Sequence, residues 1–203
     1  ALMSLCNLSQ AKQDEINRAI QTLTAAGYRV LGVAQSDFKG YNFPEQQQDL
    51  SLLFKGLVAF YDPPKKNIKS VLKAFYNAGI SVRIITGDNA LTAMAIAKEI
   101  EFKGYEHYVT GNELMELSND ERERVIRGRN LFARMFPEAK LSVVNVLKEN
   151  NEVVAMTGDG INDGPALKAA HIGIAMGKKG TEIAKAAASL ILMEDDLSKM
   201  VEA

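Results

Sequence analysis

Val153-Val-Ala-Met-Thr-Gly-Asp-Gly-Ile-Asn-Asp-Gly-Pro-Ala-Leu167 decides the fold. A strand is predicted from Glu152 to Met156, apolar and β-compatible from Val153 onward. Thr157-Gly158-Asp159-Gly160 is turn chemistry. Pro165 has the fixed φ that suits the first turn of a helix, predicted from about Pro165 to Ala170. The reading is strand, turn, helix, with a hydroxyl, a flexible glycine and a carboxylate at the carboxyl end of a buried strand.

The same design occurs upstream. A strand predicted from Ser81 to Ile85 leads into Thr86-Gly87-Asp88 and then a helix from Asn89 to Ile100. Between the two copies lie a short strand from His107 to Thr110 and a charged helical stretch from Asn112 to Gly128, with Ser118 as a cap. A strand from Leu131 to Ala133 and a helix from Pro137 to Glu149 follow. Beyond the quoted stretch, strands at Ile172 to Ala175 and Leu190 to Leu192 flank another helix. Strands alternating with helices predict a doubly wound, mostly parallel α/β sheet of Rossmann-like form. Ligands of such sheets bind beyond the carboxyl ends of the strands.

Ahead of this region the texture differs. A helix is predicted from Asp14 to Ala26, closed by Gly27, then a strand from Tyr28 to Ala34, a polar loop from Ser36 to Asp49 and a strand from Leu52 to Tyr61. Asp62-Pro63-Pro64 bars continuation of a ladder. A boundary there divides the chain into 1–61 and 62–203, the second part opening with a helix from about Lys65 to Asn77.

A helix N-terminus after Thr-Gly-Asp offers free N–H groups and partial positive charge, which suit a phosphate oxyanion. Turn and cap chemistry accounts for a single copy equally well. The second copy is richer. Asp159 and Asp163 can converge across the turn, and two close carboxylates call for a cation or a shared proton. Hard oxygen ligands beside a phosphate suggest magnesium. Alternatively, Asp163 caps the helix opened by Pro165. Lys140, in the first turns of its helix, is a suitable point charge for a phosphoryl group, or a surface lysine.

Composition narrows the class. Lys+Arg 24 against Asp+Glu 25 lacks the basic excess of a nucleic-acid surface. One cysteine, Cys6, excludes an internal disulfide framework. No apolar run approaches the ~20 residues needed to span a bilayer. The expectation is a soluble chain, with any membrane portion elsewhere.

Met156-Thr-Gly-Asp-Gly-Ile-Asn-Asp-Gly-Pro-Ala-Leu167 resembles the hinge motif of P-type ATPases, members of the haloacid-dehalogenase superfamily. Asp62-Pro-Pro-Lys65, Thr86-Gly-Asp88 and Phe132-Ala-Arg-Met-Phe-Pro-Glu-Ala-Lys140 resemble three further motifs, in the family's order. The resemblance implies an HAD-like phosphorylation domain preceded by the closing part of a nucleotide-binding domain. It implies a cation pump on the cytosolic face of a membrane, using ATP and Mg2+ through an aspartyl-phosphate. By the same resemblance Asp159 binds magnesium, and Thr86, Gly87 and Lys140 contact the phosphoryl group. Asn162 and Asp163 complete that site. Asp88 and Arg134 meet the ribose of ATP, and Arg29 its phosphates. Lys65 stands where many relatives carry arginine, whose bidentate contact lysine cannot reproduce. Gly164-Pro-Ala-Leu-Lys-Ala-Ala-His-Ile-Gly-Ile-Ala-Met-Gly177 is similar to calcium-pump-type bacterial members.

The family's Asp-Lys-Thr-Gly-Thr phosphorylation motif and Thr-Gly-Glu actuator motif occur nowhere in the sequence. The resemblance puts the nucleophilic aspartate on a strand between those at Val82 and Val153. The chain then reads as a fragment, partnered in the parent by actuator, nucleotide and transmembrane portions and by the transported cation, and inactive alone. A soluble phosphatase of the superfamily, or a non-catalytic nucleotide-binding module, are the alternatives. Asp195-Asp196 reads as the cap of the last helix, and His107 and His171 are not spaced as a metal pair.

Overall fold

The computed structural model describes residues 2–202, so the outermost residues of the predicted division, 1 and 203, lie outside the described residues. The chain forms two compact units that divide between Pro63 and Pro64.

The first unit contains α1 (Leu2–Leu5), α2 (Gln10–Ala25), β1 (Arg29–Gln35) and β2 (Leu53–Phe60). α2 begins four residues earlier than predicted because Ser9 caps it, its hydroxyl oxygen accepting from the Lys12 N–H at 3.4 Å. Gly27, at φ 86°, ends it. β1 and β2 pair antiparallel with Arg29 opposite Phe60, and an irregularity between Val33 and Ala34 shifts the register.

The second unit is α/β. Its elements in order are α3 (Ile68–Asn77), β3 (Ile84–Ile85), α4 (Ala90–Glu99), β4 (Tyr108–Thr110), α5 (Gly111–Glu116) and α6 (Asn119–Gly128). There follow β5 (Leu131–Ala133), α7 (Pro137–Glu149), β6 (Ala155–Gly158), α8 (Gly164–Ala169), β7 (Ile172–Met176), α9 (Glu182–Ala187), β8 (Leu190–Leu192) and α10 (Lys199–Glu202). The helical stretch expected from Asn112 to Gly128 is two helices, and Ser118, the expected cap, starts the second. Thr110 caps α5 reciprocally with Glu113, and the Glu121 carboxylate accepts from both the N–H and hydroxyl of Ser118 at the start of α6.

The strands are all parallel, but they form two sheets, in the orders β3-β5-β4 and β6-β7-β8. β5 has a neighbour on each side and is fully buried, whereas β3 and β6 each pair on one side only. That explains two differences from the sequence reading. β3 shrinks from the predicted Ser81 to Ile85 to two residues, and β6 moves from Glu152–Met156 to 155–158, because only ladder-paired residues hold strand geometry.

The sheets are nevertheless neighbours. Ile85 and Val154 each pack against two core clusters, one around Phe132, Val143 and Leu147, the other around Val144, Met156 and Leu167. α7 supplies apolar residues to both, so it bridges the two sheets. Below the strands, Arg83 Nη1 lies 3.3 Å from a carboxylate oxygen of Glu152. No helix among the described residues is long and apolar enough to cross a membrane.

Candidate functional site

Three carboxyl strand ends carry the motif residues: Thr86 follows β3, Arg134 follows β5 and Asp159 follows β6. This is the rim where ligands of parallel sheets bind.

The β6 end is organised around Asp163. Its Oδ1 accepts a hydrogen bond from the Lys140 ammonium at 2.6 Å. Its Oδ2 accepts from the Gly160 N–H at 3.0 Å and the Asp159 N–H at 3.3 Å. Both side chains of the ion pair are only 11 % exposed. A methyl group at Gly158 would lie 2.6 Å from the Asp163 Cβ, so a glycine is required for this closure. Asp163 does not cap α8 with its side chain. Asp163 is thus paired with Lys140, and both its oxygens accept hydrogen bonds within the protein.

Asp159 and Asn162 are exposed. The Asp159 backbone is held on both sides, its N–H by Asp163 and its C=O by the Thr181 N–H at 2.8 Å. A free carboxylate on a clamped backbone at a strand end suits magnesium, which needs one or two carboxylates and takes its remaining ligands from phosphate and water. Among the described residues no group of three or more His, Cys, Asp or Glu is placed to hold a metal by itself.

The β3 end is tied to the start of α7 rather than directly to Asp163. The Thr86 N–H donates to Phe132 O, and its C=O accepts from Met135 N–H, both at 2.9 Å. The Thr86 hydroxyl oxygen accepts from the Asp88 N–H at 3.1 Å, and Asp88 O accepts from Arg134 N–H at 2.9 Å. Arg134 adopts a left-handed backbone, φ 48°, which is uncommon for a residue with a side chain. Gly87 is exposed beside this turn. Six residues of α7 and its lead-in, Met135 to Lys140, thus connect the Thr86–Asp88–Arg134 group to the Lys140–Asp163–Asp159 group.

Lys65 and Arg29 complete the set of expected residues. The Lys65 ammonium contacts the backbone carbonyl of Asp195. Arg29 opens β1 in the first unit. Three groups escaped the sequence reading: Thr181, Asp195, and the Arg83–Glu152 pair. Asp195 was legible only as a cap, yet its carboxylate accepts from the Lys178 and Lys179 N–H groups, 2.9 and 3.0 Å away. Burial pushes its carboxyl up, but the N–H groups of Lys178, Lys179 and Gly177 and the Lys65 charge outweigh that and hold it below the usual carboxylate range.

A family profile described as haloacid dehalogenase-like hydrolase matches residues 14–171, well over half of the chain. The chain belongs to the haloacid dehalogenase-like hydrolase family. Within that family it is 38 % identical over 200 residues to calcium-transporting ATPase 1 of Saccharomyces cerevisiae. It is 40 % identical over 219 aligned residues to calcium-transporting ATPase 4, endoplasmic reticulum-type, of Arabidopsis thaliana, and 38 % over 199 to the calcium-transporting ATPase of Bacillus subtilis. These alignments take in 97, 97 and 96 % of this chain but 21, 21 and 22 % of the relatives. The chain therefore spans about a fifth of the length of the curated relatives it matches. An HAD-like hydrolase domain agrees with the parallel α/β architecture of the second unit.

Proposed function

We propose that this chain is the catalytic portion, with the closing part of the nucleotide-binding portion, of an ATP-driven cation pump that works through an aspartyl-phosphate. The observation that carries the proposal is the Lys140–Asp163–Asp159 cluster at the β6 end, in a chain similar to calcium-transporting ATPases.

In this reading Asp159 holds magnesium through its exposed carboxylate. Bound there, the ion neutralises charge on the phosphate oxygens. Asp163 keeps the turn closed and fixes the Lys140 ammonium, whose positive charge faces the transferring group. The Thr86 hydroxyl, Gly87 and Asn162 line the same rim. Asp88 and Arg134 meet the ribose, and Arg29 the phosphates of ATP. In the reaction an aspartate oxygen forms a bond to the γ-phosphorus as the bridging P–O bond to ADP breaks. Water later releases phosphate.

The aspartate comes from a segment outside these 203 residues. The split sheet supports this: β3 and β6 are single-sided strands over a shared core, and an additional strand between them would pair with both. Among the described residues the buried Arg83 Nε has no hydrogen-bond partner, and it would find an acceptor in such a strand. The rest of the protein supplies the actuator, the remaining nucleotide-binding portion and the membrane helices, and the transported ion is calcium or a related cation. The chain lies on the cytosolic side of that membrane.

Incubation with γ-labelled ATP and Mg2+ tests the proposal. A full-length protein containing this chain is expected to take up an acid-stable, hydroxylamine-labile label, and the 203-residue chain none. An acyl-phosphate on the chain alone would overturn the assignment of the nucleophile to another segment.

A further inference from the structure

The geometry points to Asp195 as a positioning residue for Asp159, an inference that rests on the reading of Asp159 as the magnesium carboxylate. The two are 36 residues apart in sequence and are joined by one loop, residues 177–180, between β7 and α9.

Asp195 is itself firmly placed. It is 6 % exposed and has a left-handed backbone, φ 54°. Its N–H donates to Leu192 O at 3.0 Å, and its C=O receives the Lys65 ammonium. Each of its carboxylate oxygens accepts one backbone N–H, from Lys178 and from Lys179. The loop is pinned at both ends as well. Gly177 N–H donates to Leu192 O at 2.9 Å, Gly180 N–H to Met176 O at 3.1 Å, and a side chain at Gly180 would run into the Met176 carbonyl. The next residue, Thr181, donates its N–H to the Asp159 C=O.

Asp159 is thus clamped by two carboxylates, each acting through backbone. Asp163 holds its N–H directly, and Asp195 holds its C=O through the loop and Thr181. Among the described residues the hydrogen bonds of Asp159 run through its backbone, so the aim of its exposed carboxylate depends on the peptide groups that carry it. A ligand's supporting partners fix its orientation and tune affinity for the ion.

The probe is Mg2+ alone, titrated into the 203-residue chain and followed through the amide resonances of Gly158 to Gly160 and by hydrogen exchange at Thr181. Asp195→Ala, which removes both acceptors, is expected to weaken Mg2+ binding about tenfold, the lower end of losses seen for such supporting residues, and to speed exchange at Thr181. Asp195→Asn, which retains one acceptor oxygen, should fall between and serves if the alanine variant does not fold. Ser118→Ala, at the start of α6, lowers stability without touching this path and should change neither readout. Wild-type affinity and exchange in a folded Asp195 variant would overturn the inference, as would equal changes in Ser118→Ala. A wild-type chain that binds no Mg2+ sinks the magnesium reading of Asp159 instead, and with it any role in metal affinity. Exchange at Thr181 and the shift of the Asp159 amide then decide the positioning claim alone.

Discussion

The Lys140 ammonium and Asp163 Oδ1 stand 2.6 Å apart across 23 residues of sequence, with both side chains 11 % exposed. Removing one partner of a buried pair leaves an uncompensated charge, at a cost of about 3–5 kcal/mol. Lys140→Met and Asp163→Ala should each lower the unfolding free energy, measured by urea denaturation, by an amount in that range. The double variant should lose less than the sum of the two. Additive losses in the cycle would mean that the pair is not coupled.

Gly158→Ala should act through the same pair. The added methyl group meets Asp163 at 2.6 Å and must push the carboxylate away from Lys140. Overpacking of this kind costs about 1–3 kcal/mol. In an Asp163→Ala background much of that loss should vanish, and a penalty that persists there would place the clash elsewhere.

Acid should weaken the C-terminal loop. Asp195 and Asp196 are both held below the ordinary carboxylate range, Asp195 against the upward push of its burial by the amides of the 177–179 loop, and Asp196 by the Ser198 N–H and the Asn67 side chain. Carboxyls with lowered pKa bind fewer protons folded than unfolded, so stability is fully present above about pH 4 and is lost as pH falls through their folded pKa values. Unfolding free energy measured from pH 7 to pH 2.5 should fall more gently in Asp195→Asn than in wild type. Parallel curves would remove Asp195 from the acid response.

Arg83→Met tests the split between the sheets. The substitution deletes a partly exposed ion pair with Glu152 and also removes a buried Nε that has no acceptor. The two effects oppose each other, so the change in stability of the 203-residue chain should stay within about 1 kcal/mol. A loss of several kcal/mol would show that the guanidinium is fully satisfied.

Much of the second unit was readable from local signals. Pro137 opens α7 where expected, and the apolar runs at Leu131, Ile172 and Leu190 are strands. The errors fall where a neighbour decides. Nothing in Ser81 to Val82 says that no strand pairs beside them, so β3 was drawn too long. Ser118, expected as a cap, does start α6, because Ser118 and Glu121 three residues on form a local capping box.

At the site, the order and spacing of Thr86, Lys140, Asp159 and Asp163 were visible because turn chemistry, a strand end and a helix start are short-range events, settled within a few residues by sterics and backbone hydrogen bonding. Those same forces made the alternating α/β architecture legible. Which charge answers Asp163, and what Asp195 holds, depended on groups 23 and 16 to 17 residues away that meet only after the sheets and α7 come together. Charges and hydrogen-bond donors choose partners by distance and burial, and a linear chain contains neither until it has folded.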